Sequence, residues 1–258
     1  MRSENVLWKL VLGSVQGTSH VETGLPCQDY CAGTMAGTTL VAACADGAGS
    51  AELSQLGSKA AVDRFIEVAS GDVMPTKEQV EAWVEAARQR LLEEADANSS
   101  TPRQLACTFL AALVGDTWAA FAQVGDGVIV FNGPEGYNFA FWPDNGEYAN
   151  TTRFLSDDDY RQHLRVEIVA QFVSELAVLT DGLQMLALDI AGAKVHDPFF
   201  APLFRVVKNG PDVVALQSSL LEFLNSKRVN DRTDDDKTLV LATRIAPDAP
   251  PSLPDAGP

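Results

Sequence analysis

Apolar residues recur along most of the chain at strand spacing, and two regions change to helical spacing. Period-two alternation or short β-rich apolar runs predict strands within residues 5–14, 37–45, 107–141, 166–172, 176–180 and 238–243. Helical spacing predicts helices over residues 50–70, 76–97, 199–207 and 212–225. The second helix opens with Thr76-Lys77-Glu78-Gln79, which has the pattern of a capping box. Between 107 and 141, Gly-Asp pairs separate the apolar runs, which predicts a meander of antiparallel strands.

This order of elements predicts an α+β fold. Its centre is an antiparallel β-sandwich flanked by helix pairs, a four-layer α-β-β-α arrangement. We expect one domain over residues 1–245 and a loop over the polar residues 143–159. Residues 246–258 are rich in proline and are predicted to form a disordered tail.

Composition narrows the functional classes. Of the 258 residues 46% are hydrophobic, which excludes disorder for the bulk of the chain, and no apolar run is long enough for a membrane span. The first residues lack the apolar stretch of a signal peptide, so we expect a cytoplasmic protein. The net charge of −16 disfavours binding to nucleic acid or to anionic membranes. The acidic excess either serves solubility or includes carboxylates that bind divalent cations.

The four cysteines give little sign of metal binding. Cys27, Cys31, Cys44 and Cys107 form no paired C-x-x-C motifs, so a zinc site is disfavoured. Cys44 and Cys107 lie inside apolar runs and are predicted to be small buried hydrophobic residues.

Aspartates at the ends of predicted strands carry the chemical signal. Asp46, Asp126, Asp181 and Asp235 each flank a β-like run, and the first three precede glycine. Taken singly, each is most simply a turn residue. Strands of a sandwich end at a common edge, however, and carboxylates brought together there must take up protons or metal ions. Oxygen-only ligands favour Mg²⁺ or Mn²⁺, and a pair of such ions can activate a water for in-line attack on a phosphate ester.

The order of these motifs resembles that of the PP2C-type (PPM) metal-dependent Ser/Thr protein phosphatases, in particular a divergent bacterial branch. The resemblance runs from about residue 13 to 243, nearly the whole chain. The motifs that carry it are Ser19-His20 with Gly24-x-Pro26-x-Gln28-Asp29, Ala45-Asp46-Gly47-Ala48-Gly49-Ser50, Val124-Gly125-Asp126-Gly127, Leu179-Thr180-Asp181-Gly182-Leu183 and Asp235-Asp236-Lys237-Thr238.

The resemblance implies a role for each motif residue. Asp46 would bridge two metal ions, and the carbonyl of Gly47 would bind one of them. Asp181 and Asp235 would complete the first metal site. Asp29 would hold a metal-bound water through a hydrogen bond.

The resemblance also implies a third, weaker metal site at Asp126 together with Asp181. The implied cofactors are therefore two or three Mn²⁺ or Mg²⁺ ions, and the implied fold is the four-layer sandwich predicted above. The implied reaction is hydrolysis of phosphoserine and phosphothreonine in proteins. Phosphorylated proteins would be the partners, with a Ser/Thr kinase as a further candidate, and we expect a monomer.

The sequence departs from the family pattern at three positions. Gly24 stands where the family usually has an arginine that grips substrate phosphate, and His20 and Arg103 are candidates to replace it. Gln28 replaces an acidic residue, which weakens water-mediated binding at the second metal. Ala48 replaces a proposed general-acid histidine, so the leaving group must take its proton from water or another group.

These departures leave alternatives open. The chain could be a non-catalytic pseudophosphatase that binds phosphoproteins or a kinase as a scaffold. It could also be a phosphatase of small molecules.

Overall fold

A computed structural model of the protein describes residues 7–143 and 152–245. Within these residues the chain forms twelve β-strands. They are β1 (Leu7–Val15), β2 (Tyr30–Ala36), β3 (Thr39–Ala45), β4 (Phe109–Val114), β5 (Ala119–Val124), β6 (Val128–Gly133), β7 (Gly136–Phe139), β8 (Arg165–Val169), β9 (Glu175–Leu179), β10 (Leu188–Asp189), β11 (Lys194–Val195) and β12 (Lys237–Ile245).

Helices fill the connections. The α-helices of the described residues are α1 (Thr18–Thr23), α2 (Ser54–Val68), α3 (Lys77–Ala97), α4 (Tyr160–His163), α5 (Gln184–Ala187), α6 (Asp197–Asn209), α7 (Val213–Leu224) and α8 (Lys227–Asn230). Short 3-10 helices form at Pro102–Leu105 and Asp181–Leu183. The hydroxyl of Thr76 accepts a hydrogen bond from the Gln79 amide (3.3 Å), so the predicted N-terminal cap of α3 is confirmed.

Two five-stranded antiparallel sheets form the centre of the fold. One has the order β1-β12-β9-β6-β7 and the other β2-β3-β4-β5-β8. Helices α2 and α3 cover the outer face of the β2–β8 sheet, and α6 and α7 cover the outer face of the β1–β7 sheet. The predicted α+β fold with four α-β-β-α layers is confirmed.

Aromatic side chains fill each of the three interfaces between these layers. Phe121 and Phe131 come from opposite sheets and stack with ring centroids 5.0 Å apart in the middle of the sandwich. Phe65 of α2 packs edge-on against Phe109 of β4 at 5.3 Å. Phe204 of α6 is fully buried at the third interface, between α6 and the β1–β7 sheet. Because burial of each such ring contributes about 2 kcal/mol or more, these contacts hold the layers in place.

The β2–β3 hairpin has a two-residue turn and a fixed register. Ala36 pairs with Thr39 at the turn, and Tyr30 pairs with Ala45 at the other end. Gly37, the first turn residue, has φ of 66°, a left-handed conformation that a side chain would disfavour. The hairpin therefore delivers the residues that flank Tyr30 and Ala45 to the same end of the sandwich.

The predicted meander over residues 107–141 is wrong at its midpoint. Gly115-Asp116 does connect a hairpin, β4–β5, and β6 pairs with β7. At Gly125-Asp126-Gly127, however, the chain leaves one sheet and enters the other, because β5 pairs with β4 and β8 whereas β6 pairs with β9 and β7. Gly125 and Gly127 both have positive φ (89° and 101°), a conformation that glycine adopts readily where the chain changes direction.

Two elements near the N-terminus have no counterpart among the predictions. Strand β2 is an edge strand with mixed exposure and no clear alternation, and helix α1 has no buried residue. Both therefore lack the apolar period by which elements are found in a sequence. The predicted tail at 246–258 and residues 144–151 of the predicted loop lie outside the described residues. No helix in the described part of the chain has the length and apolar character to cross a membrane.

Candidate metal centre

Three of the predicted carboxylates meet at one end of the sandwich. Asp46 follows β3, Asp126 lies in the crossover between the sheets, and Asp181 follows β9. One carboxylate oxygen from each lies within 4.8 Å of the other two. Strand ends from both sheets thus contribute to a single acidic cluster, as expected from their positions in the sequence.

Asp235 stands next to this tightest group and not inside it. It precedes β12, and a side chain at Gly182 would come within 3.7 Å of the Asp235 Cβ. Its charge raises the pKa of both Asp46 and Asp181, although burial is the larger cause for each. Asp235 therefore shares the electrostatic environment of the cluster.

Asp29 joins the cluster through the β2–β3 register. One step beyond the Tyr30–Ala45 pair, the register places Asp29 opposite Asp46. The hydroxyl of Thr180 donates a hydrogen bond to Asp29 Oδ2 (2.8 Å), while Oδ1 is buried and has no donor among the described residues. A buried carboxylate oxygen without a donor fits a site that is completed by a further ligand.

The backbone at Asp46 and Gly47 is held from one side by the two residues that precede β4. The Asp46 amide donates to the Thr108 hydroxyl (3.0 Å), and the Thr108 amide donates to the Asp46 carbonyl (2.8 Å). Gly47 forms an antiparallel bridge with Cys107, whose flanking hydrogen bonds do not use the Gly47 carbonyl. That carbonyl remains available to a ligand beside Asp46.

Burial and mutual repulsion act together on the cluster. Burial raises the pKa of Asp29 to about 7, although the hydrogen bond from Thr180 opposes this shift. Burial, followed by the charges of Asp126 and Asp235, raises the pKa of Asp181 to about 6. The pKa of Asp46 is raised well above its usual range by burial and by three neighbouring aspartates. Carboxylates in this condition hold protons near neutral pH unless a cation neutralises them.

Asp236 has a structural function that the sequence did not reveal. It is 2% exposed and accepts hydrogen bonds from the amides of Gly17 and Gln28, both 2.6 Å long. These contacts fasten the segment around α1 and the start of β2 to the start of β12, and thus Asp29 to Asp235. Within a run of three aspartates, no sequence signal separates the one that anchors backbone from its neighbours.

Thr152 is a second residue that sequence reasoning missed. Its hydroxyl donates to Asp126 Oδ2 (3.0 Å), which links Asp126 to the segment after residue 151. Nothing in the surrounding sequence marked this threonine.

His20 lies on α1 beside Asp236. Its Nδ1 is 3.0 Å from Asp236 Oδ1, and its side chain is 12% exposed. The ring nitrogen is thus directed toward a carboxylate of the chain. A contact between His20 and substrate phosphate remains a prediction.

The cysteines behave as predicted where the structure bears on them. Cys44 and Cys107 are fully buried, and all four thiols are free. The ligand atoms at this end of the sandwich are instead carboxylate and carbonyl oxygens, the donors that hard divalent cations such as Mg²⁺ and Mn²⁺ prefer.

Comparison with known proteins identifies the class to which this fold and acidic site belong. A family model with the description "Protein phosphatase 2C" matches residues 16–225. The chain belongs to the protein phosphatase 2C family. Serine/threonine-protein phosphatase 3 of Escherichia coli (strain K12) is 36% identical over 252 residues, covering 91% of this chain and 98% of that protein.

Solved structures agree with this fold. A crystal structure of a bacterial serine phosphatase superposes with a TM-score of 0.65 at 16% identity and covers 94% of this chain and 100% of its own. The catalytic domain of the serine threonine protein phosphatase PstP, in complex with 2 manganese ions, gives 0.62 at 14% identity and covers 93% and 99%. At these identities the likeness concerns the fold.

Proposed function

We propose that this protein removes phosphate from phosphoserine and phosphothreonine in other proteins and depends on divalent metal ions to do so. The observation that carries the proposal is the meeting of Asp46, Asp126 and Asp181 within 4.8 Å, in a chain of the protein phosphatase 2C family. The 36% identical relative bears the name of a serine/threonine-protein phosphatase, which supports the substrate class.

The chemistry of the donor set fits divalent ions. Buried acidic oxygens repel one another, and a cation among them removes that repulsion. The Asp29 oxygen without a donor and the Gly47 carbonyl outside its bridge offer further oxygen ligands or hydrogen-bond acceptors. We favour Mn²⁺ or Mg²⁺, with two ions and a third, weaker position at Asp126.

Each residue has a proposed role. Asp46, the Gly47 carbonyl, Asp181 and Asp235 would hold the ions, with Asp46 contributing to both positions. When bound, such ions supply the Lewis acidity that makes water nucleophilic and neutralise charge on the phosphoryl group. Asp29 would accept a hydrogen bond from a water at the metal centre and so orient it.

The setting of the reaction follows from the same proposal. The substrates are phosphoproteins, and we expect the protein to act on them in the cytoplasm. No comparison favours the scaffold interpretation, and the assembled carboxylates are more than phosphoprotein binding would require.

The test is a phosphopeptide assay. We expect release of phosphate from phosphoserine and phosphothreonine peptides with Mn²⁺ and none after chelation with EDTA. Asp181→Asn should lower turnover by about two orders of magnitude or more, because it removes charge where the metal ions bind.

A matched control and the contrary results complete the design. Asp116→Asn alters an aspartate in a Gly-Asp turn at the opposite end of the β4–β5 hairpin and should retain wild-type turnover. Turnover that survives EDTA would contradict the metal dependence. Phosphopeptide binding without turnover would favour the scaffold, and turnover confined to small phosphate esters would overturn the substrate class.

A further inference from the structure

The proposed substrate carries a phosphate group. Gly24, at the position where the family usually has an arginine to bind that group, has no charged side chain. Gly24 caps α1 with φ of 73°, and a Cβ there would meet nothing within 4 Å. The chain as a whole carries −16, and the site is lined by aspartates. A positive side chain would add to the effect of the proposed metal ions in attracting a phosphate dianion to this acidic end of the fold.

Several cationic side chains near the site already contact polar or acidic groups of the chain. Lys237 is fully buried and donates to Asn230 Oδ1 (2.8 Å). His20 faces Asp236, and the guanidinium of Arg153 lies 3.9 Å from Asp159.

Backbone hydrogen bonds connect Arg103 to the segment that follows Asp46. It belongs to the 3-10 helix Pro102–Leu105, and its carbonyl accepts from the Ala106 amide (3.3 Å), which closes a turn. The Ala106 carbonyl in turn accepts from the Ala48 amide (2.9 Å), two residues after Asp46. Because the ends of such a turn lie within about 7 Å, the Cα of Arg103 is close to that of Ala106, the residue that is hydrogen-bonded to Ala48.

A second set of hydrogen bonds makes this base rigid. The Leu53 amide donates to the Gln104 carbonyl (2.8 Å), and the Glu52 amide donates to Gln104 Oε1 (2.9 Å). The 3-10 helix that bears Arg103 is thus fastened at two points to the segment that follows Gly47. A phosphate-binding side chain benefits from such a fixed base, because less freedom is lost on binding.

The Arg103 side chain is exposed and has no ion pair or hydrogen bond within the residues that the structure describes. Several other arginines lie in ion pairs, as Arg64 does with Glu67 and Arg161 with Glu85. Arg232 is also exposed, but it belongs to an acidic stretch of sequence, with Asp231 before it and Asp234 after it. The sequence around Arg103, by contrast, has no acidic residue between Asp96 and Asp116.

We propose that the guanidinium of Arg103 binds the phosphoryl oxygens of the substrate. The inference rests on the proposed function. The planar fork of arginine suits two oxygens of one phosphate, and from a turn that is hydrogen-bonded to Ala48 it would hold the phosphate over the aspartates. Arg103 thereby takes over, from a different part of the chain, the task for which position 24 has no side chain.

The test measures phosphate binding as well as turnover. Inorganic phosphate is titrated calorimetrically into the Mn²⁺-loaded protein, and KM is measured for a phosphopeptide. Arg103→Gln should weaken phosphate binding and raise KM by about tenfold or more, since a hydrogen-bonded charge pair is lost. Arg103→Lys should recover part of this loss, because the charge stays and the fork is absent. The affinity for Mn²⁺ should not change in either variant.

Arg205→Gln removes an exposed arginine on α6 and serves as the matched control, with phosphate affinity and KM as in the wild type. The inference is overturned if Arg103→Gln binds phosphate like the wild type, or if Arg232→Gln produces the loss instead. Because calorimetry measures phosphate binding without turnover, it tests the role of Arg103 independently of the proposed function. Loss of phosphate binding in Arg103→Gln would support the inference even if no phosphopeptide were turned over.

Discussion

The anchoring function of Asp236 leads to a quantitative prediction for Asp236→Asn. Both carboxylate oxygens accept a 2.6 Å hydrogen bond from a backbone amide, one from Gly17 and one from Gln28. Asparagine has the same shape but offers one acceptor oxygen. Its amino group must therefore face one of the two amides, and that buried N–H loses its partner.

The magnitude follows from these contacts. A hydrogen bond to a charged group contributes about 1.5–3 kcal/mol, and a buried unsatisfied donor costs about 1–3 kcal/mol. We expect a loss of about 3 kcal/mol in the free energy of unfolding, equivalent to a fall of about 6–12 °C in Tm for a chain of this size. Relief of repulsion with Asp29 acts in the opposite direction. It is the smaller effect near neutral pH, because burial raises the pKa of Asp29 to about 7 and part of its charge is already lost.

Thermal unfolding in EDTA is the appropriate assay, since it keeps metal binding out of the comparison. Asp234→Asn is the control, because Asp234 belongs to the same acidic run but is exposed. It should change Tm by no more than about 2 °C. If Asp236→Asn matched this control, or raised Tm, repulsion among the carboxylates would outweigh the two amide hydrogen bonds and the anchoring argument would be refuted.

Three further predictions concern the metal centre itself. Thr180→Val removes the hydroxyl that donates to Asp29 and should cost about 2 kcal/mol in urea unfolding, whereas Thr180→Ser should not. In Gly182→Ala the new Cβ would overlap the Asp236 carbonyl oxygen, so Mn²⁺ affinity measured by calorimetry should fall about tenfold or more. Gly49→Ala, whose Cβ lies 4.0 Å from its nearest neighbour, should leave that affinity unchanged. Finally, a raised carboxyl pKa means that stability without metal falls as pH rises from about 4 to about 7. The gain in Tm from Mn²⁺ should therefore grow from about pH 5 to about pH 8, and a gain independent of pH would contradict this.

The sequence was informative about the aspartates because each follows or precedes a clear apolar run. Asp46 and Asp181 end strands that are buried throughout or nearly so, and such runs are easily found. Once two packed sheets were predicted, common strand ends implied a cluster. The same reasoning misjudged residues 125–127, because a Gly-Asp pair looks alike in a hairpin such as Gly115-Asp116 and in a crossover between sheets.

What the sequence could not supply are the contacts between distant segments. Asp236 bonds to amides more than two hundred residues away, and Thr180 reaches Asp29 across 151 residues. Such partners depend on the packing of the layers and leave no local pattern. Strand β2 was missed for a related reason. It is held in place by its pairing with β3, and its own sequence has no regular alternation of apolar and polar residues.

The turn of the β2–β3 hairpin has a consequence for how this protein can tolerate change. Seven residue pairs separate Gly37-Thr38 from the step at which Asp29 meets Asp46. Side chains alternate along a strand, so the deletion of one residue from this two-residue turn shifts the ladder by one and rotates Asp29 to the opposite face. A shortened loop at the end of the hairpin opposite the clustered aspartates would thus separate Asp29 from Asp46, and the minimum length of this turn should be under as strict a constraint as the aspartates themselves.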